Sequence, residues 1–555
     1  MSRDNELVFA ALGGVGEIGM NLGIYGLGGR SKTWMAVDFG VSFASEEHLP
    51  GVDLIMPDIR FLEEERRNLA GIVLTHAHED HFGALIDLWP RLKVPVYATP
   101  FTAALLEAKR LSERNAPEIP VTIIPLGGRF TLGPFDVEKV SVAHSIPESN
   151  ALIIRTPLGN VLHTGDWKID PTPVLGLPTD EAKLRALGAE GCRAIIGDST
   201  NAVRPGRSPS EAEVAKTLAE LITAARGRVA VTTFASNVAR VRSSAIAARE
   251  AGREIVVVGR AMERIAQVAR ETGYLDGIQE FRSVEAYGYL PPDKVLALCT
   301  GSQGEPRAAL ARIAEGQHPD VTLGKGDTVI FSSRTIPGNE KEVGRVINGL
   351  IRQGIEVITD RTHLVHVSGH PRLAEMEEMY GWVKPQVVVP VHGEALHLSE
   401  HAALARRIGV PEVVVIANGD VVRLAPGPSS IVDEVPAAQL YKDGNLIVEA
   451  SGRPVRDRKR LAFAGMISIA IAMNDRGDLA ADPEVELRGI PETNRTGDSM
   501  SEIAYDAAHD TFQQLPRARR RDPDAVAEAI TRAVRAAIGE QWGKKPGCYV
   551  HILTV

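Results

Sequence analysis

A cluster of metal-ligating side chains directly follows a short apolar run, and it constrains the fold more than any other feature of the chain. Residues 71–74 are typical of a buried strand, and positions 76–81 then bring together three imidazoles and the Asp80 carboxylate. Because side chains at the end of a strand alternate between opposite sides, one such loop can provide ligands to two ions. We predict a site for two metal ions that includes His76, His78, Asp80 and His81.

The chemistry of these ligands indicates zinc or manganese. Neutral imidazoles and carboxylates suit Zn²⁺ or Mn²⁺, and a catalytic site keeps coordination positions open for water and substrate. No thiolate ligand is expected, because the 3 cysteines are far apart and show no CxxC spacing. Further ligands should follow other predicted strands, and the candidates are His144, Asp166 and His392.

The size and composition of the chain predict a multidomain α/β protein. Its 555 residues correspond to about three or four domains of roughly 150 residues each. The 52 glycines and 34 prolines favour an α/β architecture over a helical bundle. A net charge of −9, from 62 basic and 71 acidic residues, argues against a uniformly basic coat for nucleic acid but leaves room for a local basic groove.

The sequence also predicts a location in the cell. Residues 1–14 lack the basic region and apolar core of a signal peptide, and the longest nearly apolar run, 461–473, is too short to span a bilayer. Three widely spaced cysteines fit a reducing compartment. We therefore expect a cytoplasmic protein that does not associate with membranes.

Hydrophobic patterning divides the chain into segments. The first 200 residues read as short β-rich runs between turns, which predicts a layered α/β domain. From residue 208, helical and strand-like stretches alternate as in the βαβ units of a parallel sheet, and near residue 363 the first domain resumes. Three prolines at positions 426, 428 and 436 indicate a linker. Beyond it, residues 460–473 are predicted as a strand that precedes a small C-terminal domain.

A GxGxxG motif near the start offers a different interpretation. Gly14, Gly16 and Gly19 follow a predicted strand, and Asp38 stands at about the distance of a ribose-binding acid in a dinucleotide fold. The third glycine of such a motif should open an amphipathic helix, whereas residues 20–30 hold four further glycines and favour a helix poorly. We therefore favour a glycine-rich turn whose backbone approaches an active site over NAD binding.

The ligand motifs together resemble those of the metallo-β-lactamase superfamily. Residues 76–81 match its HxHxDH signature, and the later ligand motifs and the structural aspartate are matched by His144, Asp166 and Asp38. The resemblance implies an α/β fold, a four-layer αββα sandwich. It further implies that one ion is held by His76, His78 and His144 and the other by Asp80, His81 and His392, with Asp166 bridging the two.

Residues 208–362 resemble the β-CASP domain, an α/β insert of nucleic-acid-cleaving members of the superfamily. The landmarks are Asp198, His370 and His392, and a histidine at the last position is the version associated with RNA. The whole chain is similar to the bacterial ribonuclease J family. The implied divisions are 1–207 and 363–425 for the metallo-β-lactamase domain, 208–362 for the insert, 426–455 for a linker, and 456–555 for a small α+β C-terminal domain used in oligomerisation.

The resemblance implies a two-metal ribonuclease. It would act as a 5′-to-3′ exonuclease that prefers 5′-monophosphate ends and also has endonuclease activity, in mRNA decay and rRNA maturation. Two cations can activate a water and neutralise the charge that builds on a phosphodiester. Asp166 would hold both ions, His370 could donate a proton or hydrogen bond at the scissile phosphate, and Asp198 would orient a nearby group.

Turns with hydroxyl and backbone donors are candidates for a phosphate pocket. Ser368 and Gly369 offer such donors, and turns after two predicted strands offer more. The resemblance implies that the pocket holds a 5′-monophosphate of single-stranded RNA, while an ordinary turn is the alternative. The candidate substrate-binding residues are Phe234, Ala235, Ser236, Ser333, Arg334, His366, Val367, Ser368, Gly369 and His370.

Positive charge is concentrated in the insert. Its arginines could follow a phosphate backbone along one face, and solvated helix faces are the alternative. The basic run 517–521 could contact RNA or a neighbouring subunit. The arginines that make up this concentration are Arg226, Arg228, Arg240, Arg242, Arg249, Arg253, Arg260, Arg264 and Arg270.

Three further predictions concern residues outside the main site. His397 and His401 stand four residues apart on a predicted helix and mimic a metal pair, but we interpret them as surface residues. The family resemblance implies a homodimer or homotetramer and a place in an RNA-degradation complex. Some relatives carry a structural Ca²⁺, for which Asp443 is a weak candidate ligand.

Two other classes of function need to be distinguished. A small-molecule metallohydrolase, such as a lactonase or a glyoxalase-type thioesterase, would lack the insert of roughly 150 residues and its landmarks. A metal-free RNA-binding scaffold would have lost ligands, whereas every expected ligand is present in this chain. Digestion of labelled RNA beside thioester substrates tests the first alternative, and metal analysis tests the second.

Overall fold

The protein is described by a computed structural model that covers residues 5–44, 49–336 and 338–555. Within these residues the chain forms two compact units. Unit 1 contains the described residues of Met1–Ser42 and Met56–Ala438, and unit 2 those of Phe43–Ile55 and Gln439–Val555. Among the described helices, none combines the length and the apolar character that a membrane span needs.

The chain begins with short strands and helices, as the β-rich pattern of the sequence predicts. Strands account for the β-rich runs of the first 200 residues, and in the described part of this segment five helices lie between them. The elements are β1 (Glu6–Gly13), β2 (Leu22–Gly28), β3 (Lys32–Val37), β4 (Ser42–Phe43), β5 (Leu54–Pro57), α1 (Arg60–Glu64), β6 (Leu69–Val73), α2 (Glu79–Phe82), α3 (Leu85–Leu92), β7 (Val96–Ala98), α4 (Pro100–Ser112), β8 (Val121–Ile123), β9 (Arg129–Leu132), β10 (Phe135–Ser141), β11 (Asn150–Thr156), β12 (Gly159–His163), α5 (Glu181–Glu190) and β13 (Cys192–Asp198).

The next segment folds around a parallel sheet with the alternation of strands and helices that the sequence predicts. The strand order in its described residues is β15-β16-β14-β17-β18, and every neighbouring pair is parallel. The elements are α6 (Glu211–Ala224), β14 (Val229–Thr232), α7 (Val238–Glu250), β15 (Glu254–Val258), α8 (Arg260–Glu271), two 3₁₀ helices (Val284–Tyr289 and Pro292–Lys294), β16 (Val295–Cys299), α9 (Ala309–Ala314), β17 (Thr328–Phe331), α10 (Glu340–Arg352) and β18 (Glu356–Ile358).

The chain then returns to the first domain and completes two stacked sheets. The returning elements are α11 (Leu373–Val383), β19 (Val387–Val391), α12 (Ala395–Arg407), β20 (Glu412–Val413), β21 (Asp420–Ala425) and β22 (Ser430–Glu434). The sheet orders are β22-β21-β1-β2-β3-β6-β7-β8 and β20-β19-β13-β12-β11-β10-β9. Their facing sides share one hydrophobic cluster, to which β1 contributes Phe9 and β13 contributes Ile196.

Helices cover the outer faces of this pair of sheets. Side chains of α5, α11 and α12 pack against the second sheet in a separate cluster that includes Leu187, Met379 and Leu404. On the other side, α4 contacts β8, and α3 buries four apolar residues. The layers are therefore those of the αββα sandwich that the family resemblance implies, with the β-CASP-like segment inserted between β13 and α11.

Parallel pairing brings several strand ends to one edge of the sandwich. β12, β13 and β19 pair in parallel, so the chain leaves the sheet at the same edge before Asp166, at Asp198 and before His392. β3 and β6 are also parallel, which places Asp38 and Thr75 at corresponding ends of the other sheet. Ligands of α/β proteins commonly bind outside the carboxyl ends of strands. The fold thus gathers the predicted site residues there.

Unit 2 contains a three-stranded sheet with two helices on one face, so the predicted small α+β character is present. The sheet order is β26-β25-β27, and its buried side packs on the helices around Ile469, Phe512 and Ile530. The elements of this part of the chain are β23 (Gln439–Asp443), β24 (Leu446–Glu449), α13 (Arg453–Ala464), β25 (Met466–Met473), β26 (Glu484–Arg488), α14 (Met500–Gln514), α15 (Arg517–Arg520), α16 (Pro523–Trp542) and β27 (Gly547–Thr554).

Two predictions for residues 426–473 differ from the structure. The region interpreted as a linker forms β22, β23 and β24. The strand predicted from residue 460 begins at Met466, because the preceding residues complete α13. Pro454 suits the first turn of a helix, and Gly465, with φ +64°, ends it. The apolar run therefore spans the end of a helix and the start of a strand.

Candidate active site at the carboxyl ends of the strands

The loop after β6 is fixed by a buried aspartate. Asp38 Oδ1 accepts from the Thr75 backbone N–H at 2.7 Å, and Asp38 Oδ2 accepts from the Thr75 hydroxyl at 2.8 Å and lies 2.7 Å from His81 Nδ1. α2 begins at Glu79, so the chain turns directly after His78. Asp38 therefore orients the imidazole of His81 and the start of the loop together, which agrees with the structural role that the resemblance assigns to it.

One group of four side chains surrounds a common point. His78 Nδ1 lies 3.1 Å from His76 Nε2 and 3.1 Å from His144 Nε2. Asp166 Oδ2 lies 3.7 Å from His76 Nε2 and 3.6 Å from His144 Nε2. All four ligand atoms lie within 4.8 Å of one another. Three imidazoles and one carboxylate oxygen at these separations can hold one divalent cation.

A second group shares Asp166 with the first. His81 Nε2 lies 3.2 Å from Asp166 Oδ2 and 3.6 Å from Asp80 Oδ2. His392 approaches both carboxylates, with Nδ1 3.3 Å from Asp166 Oδ1 and Nε2 3.7 Å from Asp80 Oδ2. These residues also offer ligand atoms within 4.8 Å of one another. The structure therefore brings the seven sequence-predicted ligand residues together in two adjoining groups.

Unsatisfied buried atoms fit the presence of cations. Asp166 Oδ1 and both ring nitrogens of His392 are buried and have no hydrogen-bond partner. A buried polar atom without a partner is costly, whereas a bound cation would satisfy the lone pair of Asp166 Oδ1 and that of the unprotonated ring nitrogen of His392. The donor set of imidazoles and carboxylates suits Zn²⁺ or Mn²⁺. The residues present thus fit the metal ions that the resemblance implies.

The electrostatics of the first group favour neutral imidazoles. Burial, together with nearby cationic histidines, holds the pKa of His76 and the pKa of His144 well below the usual histidine value. Burial likewise lowers the pKa of His78 to about 4. An imidazole must be unprotonated to bind a cation, so these three side chains are in the required state at neutral pH.

In the second ligand group, the carboxylates favour a protonated imidazole instead. Burial by itself lowers the pKa of His81, but the negative charges of Asp166, Asp80 and Asp38 outweigh it and raise that pKa well above the usual value. Burial raises the pKa of Asp166, but the neighbouring His392, His81 and His370 hold it well below its usual range. Without bound cations, the negative charge of the carboxylates is thus balanced by protonated imidazole. Bound divalent ions would balance that charge instead.

His370 and Asp198 form a pair beside the two ligand groups. His370 Nδ1 lies 2.8 Å from Asp198 Oδ2 and 3.8 Å from Asp166 Oδ2. The His370 side chain is 19% exposed, whereas both carboxylates are buried. Burial alone lowers the pKa of His370, but Asp198 and Asp166 raise it to about 9. This imidazole is therefore protonated at neutral pH in the absence of metal and faces the open side of the site.

Residues 366–369 connect the candidate phosphate pocket to the ligand groups. The Gly369 carbonyl lies 2.7 Å from His144 Nδ1, and a Cβ at position 369 would collide with that ring. Ser368 Oγ accepts a hydrogen bond from Asn201 Nδ2 at 2.9 Å. Val367 is buried, so only its backbone could face a ligand. His366 hydrogen-bonds the Ser332 backbone, and burial holds its pKa well below the usual value.

The other candidate pocket residues lie at the carboxyl edge of the inserted sheet. Phe234, Ala235 and Ser236 connect β14 to α7 and are half-buried. β14 and β17 are parallel neighbours, so Ser333 and Arg334 leave the sheet beside that turn. Burial lowers the pKa of Arg334. Among the described contacts, no hydrogen bond joins these five residues to the Ser368–His370 turn, so the two parts of the pocket are set by separate turns.

Two arginines predicted as RNA contacts are internal instead. Arg240 is fully buried, and its guanidinium donates to Glu211 at 2.8 Å, to Ser332 Oγ at 2.5 Å and to the Val365 carbonyl at 2.7 Å. Arg253 is nearly buried and donates to backbone carbonyls. The charge pattern of a helix cannot show which cations point inward. The other arginines of the insert are half-buried or exposed.

The predictions for three residues remote from the ligand groups have different outcomes. His401, interpreted as a surface residue, is fully buried and hydrogen-bonds Ser199 and Tyr380. His397 is half-buried and accepts from the Glu394 N–H at 3.2 Å. Asp443, the weak calcium candidate, lies 2.7 Å from the Arg458 guanidinium, which already compensates its charge. The geometry therefore gives no support to Asp443 as a cation ligand.

The glycine-rich motif near the start is a turn and not the opening of a helix. Gly14, Gly16 and Gly19 all have positive φ, and the next element is β2. The Gly14 carbonyl accepts from the His392 N–H at 2.7 Å. The predicted turn that approaches the site is thus present, and the dinucleotide interpretation fails because no helix begins there.

Some residues of the site were missed by sequence reasoning. Asn21 Nδ2 lies 3.1 Å from His81 Nε2, and the buried Lys139 donates to the Leu74 carbonyl at 2.8 Å. Asn201 donates to Ser368 and to the His370 carbonyl at 3.1 Å. The only available signal was their position beside recognised motifs, since amide and lysine side chains are common without any such role.

Family models match four stretches of the chain. Residues 28–184 match a beta-lactamase superfamily domain, and residues 226–350 match a ribonuclease J beta-CASP domain. Residues 354–416 match a Zn-dependent metallo-hydrolase RNA specificity domain, and residues 454–555 match a ribonuclease J C-terminal domain. These matches agree with the sandwich, the insert and the α+β unit.

Similar proteins were found both among curated sequences and among solved structures. A ribonuclease J of Sinorhizobium meliloti is 53% identical over 100% of this chain and 98% of its own length. A ribonuclease J of Mycolicibacterium smegmatis is 39% identical over 97% of this chain and 95% of its own length. A solved protein of unknown function from Enterococcus faecalis V583 shares the fold, with 16% identity, a TM-score of 0.53, and coverage of 75% of this chain and 100% of that chain.

Proposed function

The chain belongs to the ribonuclease J family, and on this premise we propose that it degrades single-stranded RNA from the 5′ end with two metal ions. It is a metal-dependent ribonuclease with a metallo-β-lactamase fold and a β-CASP insert. The finer proposal is a 5′-to-3′ exonuclease that prefers 5′-monophosphate ends and that also cuts internally. Its cellular tasks would be mRNA decay and rRNA maturation.

The observation that carries this proposal is the shared position of Asp166. The same carboxylate belongs to both ligand groups and to a third group with Asp198 and His370. When bound, two divalent ions polarise a water for attack and neutralise negative charge on a phosphodiester. We propose Zn²⁺ or Mn²⁺ as the ions. The first would be held by His76, His78, His144 and Asp166 and the second by Asp80, His81, His392 and Asp166.

His370 is the proposed proton donor of the chain. Asp198 accepts from its Nδ1 and fixes the ring, which leaves Nε2 to donate to the leaving oxygen of the substrate. In the hydrolysis, water adds to phosphorus, the bond between phosphorus and the 3′ oxygen breaks, and that oxygen takes the proton. The shortened RNA keeps a 5′-phosphate and can bind again in the same way.

The 5′ end of the RNA is proposed to bind at the turn of Ser368 and Gly369. The Ser368 hydroxyl and the backbone N–H groups of this turn are donors for a phosphate. Support comes from the contact of Gly369 with His144, because a phosphate held at this turn would lie close to the first ligand group. Phe234–Ser236, His366 and Val367, together with Ser333 and Arg334, would border the path of the RNA at the edge of the inserted sheet.

The remaining proposals concern the assembly. We propose that residues 208–362 form one side of the RNA path and that residues 456–555 pair subunits into a homodimer or homotetramer. A cytoplasmic location and participation in an RNA-degradation complex follow from the same family membership. Of these, only the RNA path depends on the geometry of the candidate site.

The proposal is tested with purified protein, a metal titration and RNA that carries a 5′-hydroxyl, 5′-monophosphate or 5′-triphosphate. We expect metal-dependent release of mononucleotides, fastest from the monophosphate. A thioester and a lactone are assayed in parallel, because the sandwich alone also serves small-molecule hydrolases. Turnover of these compounds without hydrolysis of RNA would reject the proposed function. Equal rates on all three RNAs would reject only the 5′-end pocket.

A further inference from the structure

A buried histidine lies behind the candidate active site without belonging to it. His401 on α12 uses both ring nitrogens, because Nδ1 lies 2.8 Å from Ser199 Oγ and Nε2 contacts the hydroxyl of Tyr380 on α11. Gly197 makes room for the pair, since an added Cβ would lie 3.1 Å from the His401 ring and 3.2 Å from the Tyr380 hydroxyl. The pair is therefore packed against β13 directly before Asp198.

The three groups form an ordered chain of hydrogen bonds. The Ser199 hydroxyl donates to the Gly197 carbonyl at 3.4 Å, so its oxygen is left to accept from His401 Nδ1–H. The neutral imidazole then accepts at Nε2 from the Tyr380 hydroxyl. Burial lowers the pKa of His401 to about 4 and raises the pKa of Tyr380, so both groups stay neutral. We call this chain of Tyr380, His401 and Ser199 the buried relay.

The relay ends in the turn 198–201, which supports two parts of the site. Asp198 holds the His370 ring at 2.8 Å, and its other carboxylate oxygen accepts from the Thr200 N–H at 2.9 Å. Asn201 donates to Ser368 Oγ at 2.9 Å and to the His370 carbonyl at 3.1 Å. The position of this turn therefore sets both the proposed proton donor and the proposed phosphate pocket.

The same turn also supports His392. The Ser199 N–H and the Thr200 hydroxyl each donate to the His392 carbonyl at 3.3 Å. His392 has φ +52°, a conformation that is unfavourable for a non-glycine residue and persists only where its surroundings hold it. Together with the bond from the His392 N–H to the Gly14 carbonyl, these two bonds help to hold this backbone conformation.

We propose that His401 and Tyr380 are positioning residues for RNA hydrolysis, which act through Ser199 on the turn that holds His370 and His392. The inference rests on the proposed function, because the reaction defines the geometry to be held. In the described part of the chain, neither side chain hydrogen-bonds a predicted metal ligand or the Ser368–Gly369 turn, so their effect is indirect. Such outer partners of metal ligands typically affect activity or metal affinity by about 10–100-fold.

The test uses variants that remove single atoms. Tyr380→Phe deletes the hydroxyl at the start of the relay, and Ser199→Ala deletes the oxygen at its end. For each we expect kcat to fall by roughly tenfold or more and one of two bound Mn²⁺ ions to be lost roughly tenfold faster to a chelator, with a smaller change in KM for RNA than in kcat. Because both variants break one chain, the double variant should lose little more than either single one.

The matched control is Tyr25→Phe. The Tyr25 hydroxyl lies 2.9 Å from His163 Nδ1, and Tyr25 is buried in unit 1 as Tyr380 is. In the described structure, however, neither Tyr25 nor His163 makes a side-chain hydrogen bond to the turn 198–201. Tyr25→Phe should lower the melting temperature and leave kcat and ion retention near the wild-type values. The proposal is overturned if Tyr380→Phe behaves like this control. Failure of the wild type to cleave RNA would reject the proposed function. The relay would still be tested in that case, because ion retention is measured without RNA.

Discussion

Asp166 is the residue on which the candidate centre depends most. Its carboxylate is buried, lies within reach of both ligand groups and of His370, and keeps Oδ1 without a hydrogen-bond partner. A buried carboxylate needs a compensating positive charge close by. Protonated imidazoles can supply it in the absence of metal, and two divalent ions supply it when they are bound.

Replacement of this carboxylate tests its shared role. Asp166→Asn keeps the shape but removes the charge between the two groups, so we expect the protein to retain at most one ion. The loss of activity should exceed about 100-fold, the upper end for residues that only orient ligands. Metal content by mass spectrometry and RNA hydrolysis measure both effects. Asp433→Asn on β22 is the control, and a variant of Asp166 with two ions and full turnover would contradict the assignment.

The pair of His370 and Asp198 makes the stability of the metal-free protein depend on pH. Because burial is outweighed by Asp198 and Asp166, the pKa of His370 rises from 6.5 to about 9 on folding. The resulting stabilisation, at most about 3 kcal/mol, is fully present below pH 6.5 and is lost as the pH rises through about 9.

Urea unfolding in the presence of a chelator measures this dependence. The difference in unfolding free energy between the wild type and His370→Gln should be largest near pH 6 and should shrink towards pH 10. His363→Gln, at an exposed histidine, should show no such trend. A difference for His370→Gln that stays constant over this range would count against the charged pair.

At the residue scale, the sequence predicts ligands better than their supports. His76, His78 and His81 stand out because several imidazoles after one strand are rare without a metal. Asn201 and His401 do not stand out, because their roles depend on partners about 170 and 200 positions away in the chain. Such partners are neighbours only in the folded protein, so no local sequence pattern predicts these contacts.

At the scale of elements, the carboxyl ends of the parallel strands explain where the site forms. The sequence predicts that Asp166 and His392 follow strands, and the parallel pairing of β12, β13 and β19 brings Asp166, Asp198 and His392 to one edge. Boundaries are less predictable where one apolar run serves two elements, as at α13 and β25. Packing determines whether an arginine side chain points inward or outward, so the charge pattern could not predict that Arg240 is buried.

Arg240 is predicted to stabilise the fold and not to bind RNA. Its guanidinium compensates Glu211 and donates to Ser332 and Val365 inside unit 1. Arg240→Ala leaves Glu211 buried and without this cation, so we expect the free energy of unfolding to fall by about 3–5 kcal/mol. Chemical denaturation measures this loss, with the exposed Arg249→Ala as the control at less than about 0.5 kcal/mol.

RNA binding by the same variant provides the opposing test. The salt dependence of RNA affinity should be unchanged in Arg240→Ala, because a buried side chain neutralises no phosphate. A salt slope reduced by about one, together with wild-type stability, would show instead that Arg240 reaches the RNA backbone.

At the scale of the whole molecule, the candidate metal ligands and the hydrophobic cluster of the C-terminal sheet belong to different compact units. All residues of both ligand groups belong to unit 1, whereas the hydrophobic cluster around Ile530 belongs to unit 2. Unit 2 also includes Leu49 and Val52, which pack with Tyr441 and Val455. Sequence patterning placed that early segment in the first domain, because a contact between residues 49 and 441 leaves no periodic signal.

The separation of cores predicts separable effects of core mutations. Ile530→Ala creates a cavity in unit 2 and should reduce the unfolding free energy of that unit by about 2–5 kcal/mol. Calorimetry with metal analysis measures the outcome, and at moderate temperature the ion content should match the wild type. Ala529→Ser, at a half-buried position on the same helix, is the mild control. Loss of both ions from Ile530→Ala below its melting temperature would contradict this separation.

The central claim is that two cations share Asp166 at the carboxyl ends of the strands. Its most direct test is anomalous diffraction from crystals of the protein loaded with Mn²⁺ or Zn²⁺. The account predicts two peaks about 3.5–4 Å apart, the usual spacing of two-metal sites, on either side of the Asp166 carboxylate. A single peak, or peaks that do not contact Asp166, would contradict it.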